Sequence, residues 1–180
     1  QDTFFVGLGA EREVVMRTAR GQIAPATAAR MIERVVSETG IERTLKSWML
    51  LDNHDTARVA TTLPNPAQRR LAQLLQFTLP GSPNLYYGSE VGMAGGNDPE
   101  MRAPMRWDLV TEANPELRWT RQLIQLRREH RALRVGNFRR IESNQLLAFE
   151  RHTDRVADAV IVIVNPGSST VSESVLVPDS

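Results

Sequence analysis

"LLDNHDTARVA", Leu50 to Ala60, is an apolar run that stops abruptly in Asn53-His54-Asp55-Thr56, with Arg58 two residues further on. Its apolar part, Trp48 to Leu51, is too short for a helix and has polar residues on both sides, which predicts a buried strand. Downstream, "NPAQRRLAQLLQFTLPG" is helical: Ala67, Leu71, Leu74 and Leu75 share one stripe, and Pro80-Gly81 end it. "NLYYG", Asn84–Gly88, follows as a second short, aromatic strand between turn signals. Upstream, "APATAARMIERVVSETG" from Ala24 has Pro in a first turn, Met31, Ile32, Val35 and Val36 at helical spacing, and Gly40 as a stop. Strands alternating with helices of this length imply parallel βαβ units.

Beyond the second strand, "SEVGMAGGNDPEMRAPMRWD" is a long irregular loop rich in Gly and Pro, and Asn114-Pro115 opens a helix expected to run to about Leu133. After Gly136 the texture changes. "FRRIES", "QLLAFERHT", "AVIVIVN" and "SESVLVP" are short strand candidates between turn residues, which predicts a small antiparallel domain with its boundary near residues 134–137.

The 180 residues are 41% hydrophobic and 24% charged, which is globular composition. The longest apolar stretch, Ala159–Val164, is far too short to cross a bilayer, and a net charge of +1 gives no long-range attraction for nucleic acid. The absence of Cys rules out disulfides, a thiol nucleophile and a Cys-based metal site; it suits a cytoplasmic protein without excluding an exported one. The chain starts at Gln1 without an initiator Met and stops just after strand-like sequence, so a piece of a longer protein is expected.

In a parallel α/β barrel the loops after the strands gather at one face and build the active site. Both strand candidates end in polar residues: Asn53, His54 and Asp55 after the first, Tyr86, Tyr87, Gly88, Ser89 and Glu90 after the second, with Asp98 and Arg102 in the long loop. Carboxylates and imidazole hold hydroxyl pairs, an aromatic face stacks on a sugar ring, and a carboxylate beneath a developing oxocarbenium ion stabilises it. The set therefore suits a polyhydroxylated ligand. Plainer accounts stand beside this one. Asn53-His54-Asp55 could be a turn with Asp55 or Thr56 as a helix cap, one of the two tyrosines could be core, and Glu90 and Arg102 could be a structural ion pair. Asp98 could be a turn former. His130 and His152 lie in charged surroundings and are expected to be exposed. The basic run from Arg118 to Arg140 is expected to be a solvated helix face.

"LLDNHDTARV", "FTLPGSPNLYYGSEVGMAGGNDPEMRAPMRWD" and "LIQLRREHRALRVGNF", in this order and spacing, resemble the C-terminal part of an α-amylase-family glycoside hydrolase. The "GGNDP…R…M.WD" loop most resembles the neopullulanase, cyclomaltodextrinase and maltogenic amylase branch. The likeness runs from about Trp48 to Val164, whereas "FFVGLGAERE" does not look like the usual sixth-strand segment. The fold it implies is α/β: the C-terminal portion of a (β/α)8 barrel, about strands 6–8, over residues 1–135, followed over 136–180 by the start of a C-terminal β-sandwich domain. Asp55 would be the third catalytic carboxylate, stabilising the distorted, positively charged transition state. His54, Tyr87, Asp98 and Arg102 would bind substrate, with Asn53, Arg58, Tyr86 and Glu90 in support.

The resemblance further implies an α-glucan substrate, no cofactor (calcium remains an option for a full-length protein) and, in this branch, homodimerisation arranged by an N-terminal region. A transglycosylase of the same family, or a non-catalytic sugar-binding or partner subunit, are the alternatives. Two departures matter. The family commonly has Gly-Asp-Glu where this chain has Gly88-Ser89-Glu90, which is expected to remove a charge near the pocket wall and alter binding or loop support without abolishing chemistry. A retaining hydrolase also needs a nucleophile and an acid/base, which the family carries on its fourth and fifth strands. Asp2, Glu11 and Glu13 have the wrong context for either, so this chain alone is expected to be inactive.

Overall fold

The computed structural model describes residues 23–177 together with the backbone of strands β1 (Thr3–Leu8) and β2 (Arg12–Arg17). Helices α1 (Pro25–Thr39), α2 (Ile41–Lys46), α3 (Val59–Thr62) and α4 (Pro66–Thr78) follow, with strand β3 (Trp48–Leu50) between α2 and α3 and strand β4 (Ser82–Asn84) after α4. Helix α5 (Pro115–Glu129), helix α6 (Arg131–Val135) and strands β5 (Asn137–Ile141), β6 (Leu147–His152) and β7 (Val160–Val164) complete the order.

The first sheet runs β2-β1-β3-β4. β3 and β4 are parallel, Trp48 opposite Ser82 and Leu50 opposite Asn84, so the expected βαβ crossover forms. Gln76, buried on α4, donates through its amide to the Met49 carbonyl at 2.8 Å and the Asn84 carbonyl at 2.9 Å, pinning the crossover helix to both strands. On the other side β1 runs antiparallel to β3 and pairs with β2 as a hairpin. A parallel sixth barrel strand is therefore not what stands beside β3 in this chain. Only three residues separate Leu8 from Arg12, a length that suits the β1–β2 hairpin.

The second strand lies earlier than "NLYYG" suggested. It spans Ser82–Asn84, and both tyrosines fall after its end. Pairing with the short β3 ends at Asn84, and the Tyr87 carbonyl is taken instead by a guanidinium (below). The helix expected to reach Leu133 breaks at His130, whose φ −99, ψ 104 is extended; α6 then restarts as a separate turn.

The second sheet, β5-β6-β7, is antiparallel throughout, as its texture predicted. "SESVLVP" does not add a fourth strand. Glu173 instead accepts from the Asn144 amide at 2.7 Å and the Ser143 hydroxyl at 2.9 Å, capping the β5–β6 turn with a carboxylate where a ladder would need backbone. Leu147, Phe149, Val162 and Val164 of this sheet pack with Ala29 of α1 in one cluster, covered by Leu71, Leu74 and Leu75 of α4. Sheet and helices thus bury their apolar faces against each other. His152 is half-buried rather than exposed, because β6 is the central strand.

Candidate active site

After Leu50 the chain turns at once. Asn53 Oδ1 accepts from the Asp55 amide at 2.8 Å, and the Asn53 amide donates to Thr56 Oγ1 at 3.1 Å. This self-contained turn pushes His54 and Asp55 outward. Asp55 is not a helix cap. Its Oδ2 lies 3.2 Å from His54 Nε2 and its Oδ1 3.2 Å from Arg102 Nη2, while Arg102 Nε lies 3.1 Å from Asp98 Oδ1. Four residues singled out from the sequence, His54, Asp55, Asp98 and Arg102, thus meet in one exposed cluster drawn from two loops. Arg102 is committed to Asp98 and Asp55, so it forms no ion pair with Glu90. Asp98 is more than a turn former. The cluster carries one negative charge in excess when its two carboxylates and one guanidinium are counted.

Arg58 lies beneath and is fully buried. Its Nη1 donates to the Tyr87 carbonyl at 2.6 Å, and its guanidinium carbon sits 4.7 and 4.6 Å from the Tyr86 and Tyr87 ring centres. Nε and Nη2 have no hydrogen-bond acceptor, so the two π faces and the attraction of nearby Asp52 stabilise the cation. The rings meet edge to face at 4.6 Å, and the Tyr87 hydroxyl donates to the Ala103 carbonyl at 2.7 Å. Neither ring is buried core, since both lie past the strand. Gly88 follows at φ +86, where a Cβ would also press on Met93 and stand 3.2 Å from Arg58 Nη1. A cavity of about 410 Å³ lies between Tyr87, Met105, Trp107 and Leu117, with Glu90 on its wall and Trp107 exposed; none of the four clustered residues lines it.

Sequence reasoning missed Asp52. It is buried, and its Oδ2 accepts from the Val59 amide at 2.9 Å and the Ser89 hydroxyl at 2.8 Å. It holds the start of α3 and the loop after β4 to the end of β3. Ser89 is therefore an interior partner of Asp52, not part of a pocket wall. Nothing in the local sequence distinguishes Asp52 from its polar neighbours, because its second partner is 37 residues away.

Burial raises the Asp52 pKa, outweighing the Val59 and Ser89 hydrogen bonds and the attraction of Arg58. A raised folded-state pKa means the folded chain binds this proton more readily than the unfolded chain. Ionised Asp52 therefore costs stability at neutral pH, and the cost fades as pH falls through its folded pKa. Asp52→Asn keeps an acceptor and is expected to stay within about 1 kcal/mol of the parent at pH 7, losing ground relative to it as pH drops. Asp52→Leu strands the Val59 amide and is expected to lose about 1–3 kcal/mol. Urea midpoints from pH 4 to 8 check both.

Residues 13–114, more than half of the chain, match the family description "Alpha amylase, catalytic domain". The chain belongs to the α-amylase family. Neopullulanase 2 of Thermoactinomyces vulgaris is 40% identical over 136 residues, covering 71% of this chain and 22% of the relative. A cyclomaltodextrinase of a Bacillus species is 38% identical over 120 residues, covering 64% of this chain and 21% of the relative. Among solved structures, the native debranching enzyme of Nostoc punctiforme superposes with a TM-score of 0.74 at 33% identity, over 83% of this chain and 30% of that one. The chain spans about a fifth of the length of these curated relatives. Among the described residues no helix is long and apolar enough to cross a membrane, and no group of three or more His, Asp or Glu is placed to hold a metal ion.

Proposed function

We propose that this chain is the part of a retaining hydrolase of α-1,4-linked glucans (maltodextrins, cyclodextrins or pullulan) that supplies the third carboxylate and the neighbouring sugar contacts. The observation that carries it is the meeting of Asp55, His54, Arg102 and Asp98 across two loops beside the Tyr86–Tyr87 pair. Asp55 stabilises the oxocarbenium-like transition state through its charge, and His54 orients ring hydroxyls in the same subsite. Asp98, Arg102 and Tyr87 contact the next sugar; Asn53 and Arg58 hold the two loops in place. The relatives named for cyclomaltodextrin and pullulan support the substrate class.

Retention needs a nucleophile and an acid/base whose carboxyl groups are about 5–5.5 Å apart. Both belong to segments outside this chain, so the chain binds glucan without cleaving it. Titrating it with maltotriose while following the NMR signals of His54, Tyr87 and Arg102, in parallel with a maltodextrin hydrolysis assay, tests this. Shifts at these residues with no hydrolysis are expected. Unmoved signals would refute the glucan site, and cleavage at an ordinary enzymatic rate would refute the division of the catalytic groups.

A further inference from the structure

A single exposed hydroxyl ties the two loops of the site together. Thr61 Oγ1 donates to the Gly95 carbonyl at 3.0 Å and accepts from the amide of the same glycine at 2.8 Å, 34 residues away. The Arg58 amide donates to that carbonyl as well, at 2.9 Å. Both backbone groups of Gly95 are thus held by the segment that follows Asp55. The position admits only glycine, since a Cβ would come within 2.8 Å of the Glu100 carbonyl and 3.0 Å of the Met101 Cα. From Gly95 the contacts lead straight to the site. The Gly96 amide donates to the Glu100 carboxylate at 3.0 Å, and Glu100 opens the single helical turn Glu100–Arg102. That turn ends in the arginine that bridges Asp98 and Asp55.

We propose that Thr61 is a positioning residue: by holding Gly95 through both its backbone groups, it sets the loop so that Arg102 meets Asp55. This rests on the glucan-site reading above for its functional meaning. The Arg102–Asp55 pair is too exposed to align itself, with side chains 51% and 65% accessible, because solvent screening leaves such pairs little ordering power. A backbone anchor must do it, and preorganised geometry is what a binding site gains from such an anchor. Thr62 is the natural contrast. It is the next residue on the same short helix, and its hydroxyl bonds within its own turn, to the Val59 carbonyl at 3.3 Å.

The test compares the parent chain with Thr61→Val, Thr61→Ser and Thr62→Val. Three readouts are followed: the Arg102 Nε–H signal by NMR, hydrogen exchange of the Gly95 amide, and affinity for maltotriose. Thr61→Val is expected to shift the Arg102 signal and to speed Gly95 exchange by about tenfold, the effect of losing roughly one hydrogen bond. Maltotriose affinity should fall by a similar factor. Thr61→Ser, which keeps the hydroxyl, restores all three, and Thr62→Val moves none. An Arg102 signal unmoved in Thr61→Val overturns the proposal, whatever happens to stability. A shifted signal with unchanged maltotriose affinity overturns it equally, since the loop would then be held without serving binding. If the parent chain binds no maltotriose while its Arg102 signal still answers to Thr61→Val, the positioning stands and the glucan-site reading is what fails.

Discussion

Arg151→Met is expected to lower the unfolding stability of this chain by about 3–5 kcal/mol, since at least two buried carbonyls lose a charged donor at about 1–3 kcal/mol each. Arg151 is fully buried on the central strand β6. Its Nη1 donates to the carbonyls of Thr78 at 2.7 Å and Leu133 at 3.3 Å, its Nη2 to Gly136 at 2.9 Å and its Nε to Asn137 at 3.1 Å. Thr78 ends α4, and Leu133 lies in the last turn of α6. Carbonyls at helix ends lack intrahelical donors and carry the negative end of the helix dipole, so a cation there is doubly favoured. Burial, then repulsion from Arg127, pulls the Arg151 pKa down to about 9, which still leaves it charged at neutral pH. Met fills much of the aliphatic volume but donates nothing, and Thr78 and Leu133 are too buried for water to take over. Arg34→Met is the control. Its i,i+4 pair with Glu38 is exposed, and its loss should leave the urea midpoint close to that of the parent. Urea midpoints measured side by side decide the matter; coincident midpoints for Arg151→Met and the parent would remove the carbonyl clamp from the account of this fold.

Which parts of this architecture were legible beforehand follows from the range of the forces involved. The starts of α1, α4 and α5 were legible because each is marked by a proline in its first turn, and Asn65 and Asn114 cap the latter two through the amides of Ala67 and of Glu116 and Leu117. These are contacts over two or three residues, and a sequence displays them. The parallel pairing of β3 with β4 followed from the helix between them. The position of β4 did not, because β-prone tyrosines outweighed Pro83 in a local reading, whereas register with Trp48–Leu50 places the strand. The basic run from Arg118 to Arg140 was only partly a solvated face. Arg127 turns inward to the carbonyls of Phe77 at 2.7 Å and Gly81 at 2.5 Å. Charge alone does not reveal which arginines will reach carbonyls at and just beyond a helix end 46 or 50 residues away.

The site divides along the same line. The motif named His54, Asp55, Asp98 and Arg102, and the structure brings all four together. What holds them was hidden. Asp52, Thr61 and Gly95 look ordinary in sequence, and each acts through a partner more than thirty residues distant. Ser89 supports its loop from the interior, through Asp52, rather than from a pocket wall. An Asp in its place would set a second carboxylate against Asp52, in an interior that already resists the charge of one.

Asp55→Asn is expected to cost most in activity. The measurement needs a complete enzyme, made by grafting the matching stretch of this chain, Asp55 included, onto the remaining length of the neopullulanase relative. In that enzyme kcat/KM for maltodextrin should fall by about 10²–10³, mostly through kcat, as when one preorganised electrostatic partner of a transition state is removed. The reason is charge rather than shape. Asn keeps the size of the side chain and an oxygen for Arg102 and His54 to approach, but it cancels the excess negative charge of the cluster at the point nearest its centre. Asp98→Asn cancels the same net charge farther out, on the other side of Arg102. If only the sum of charges mattered, the two variants would behave alike. If position matters, Asp98→Asn should act chiefly on KM while Asp55→Asn acts on kcat, since only the latter loses an interaction that strengthens as the sugar ring becomes cationic. A raised KM with unchanged kcat in Asp55→Asn would mean that Asp55 holds ground state and transition state equally, and its role as the stabilising carboxylate would have to be given up.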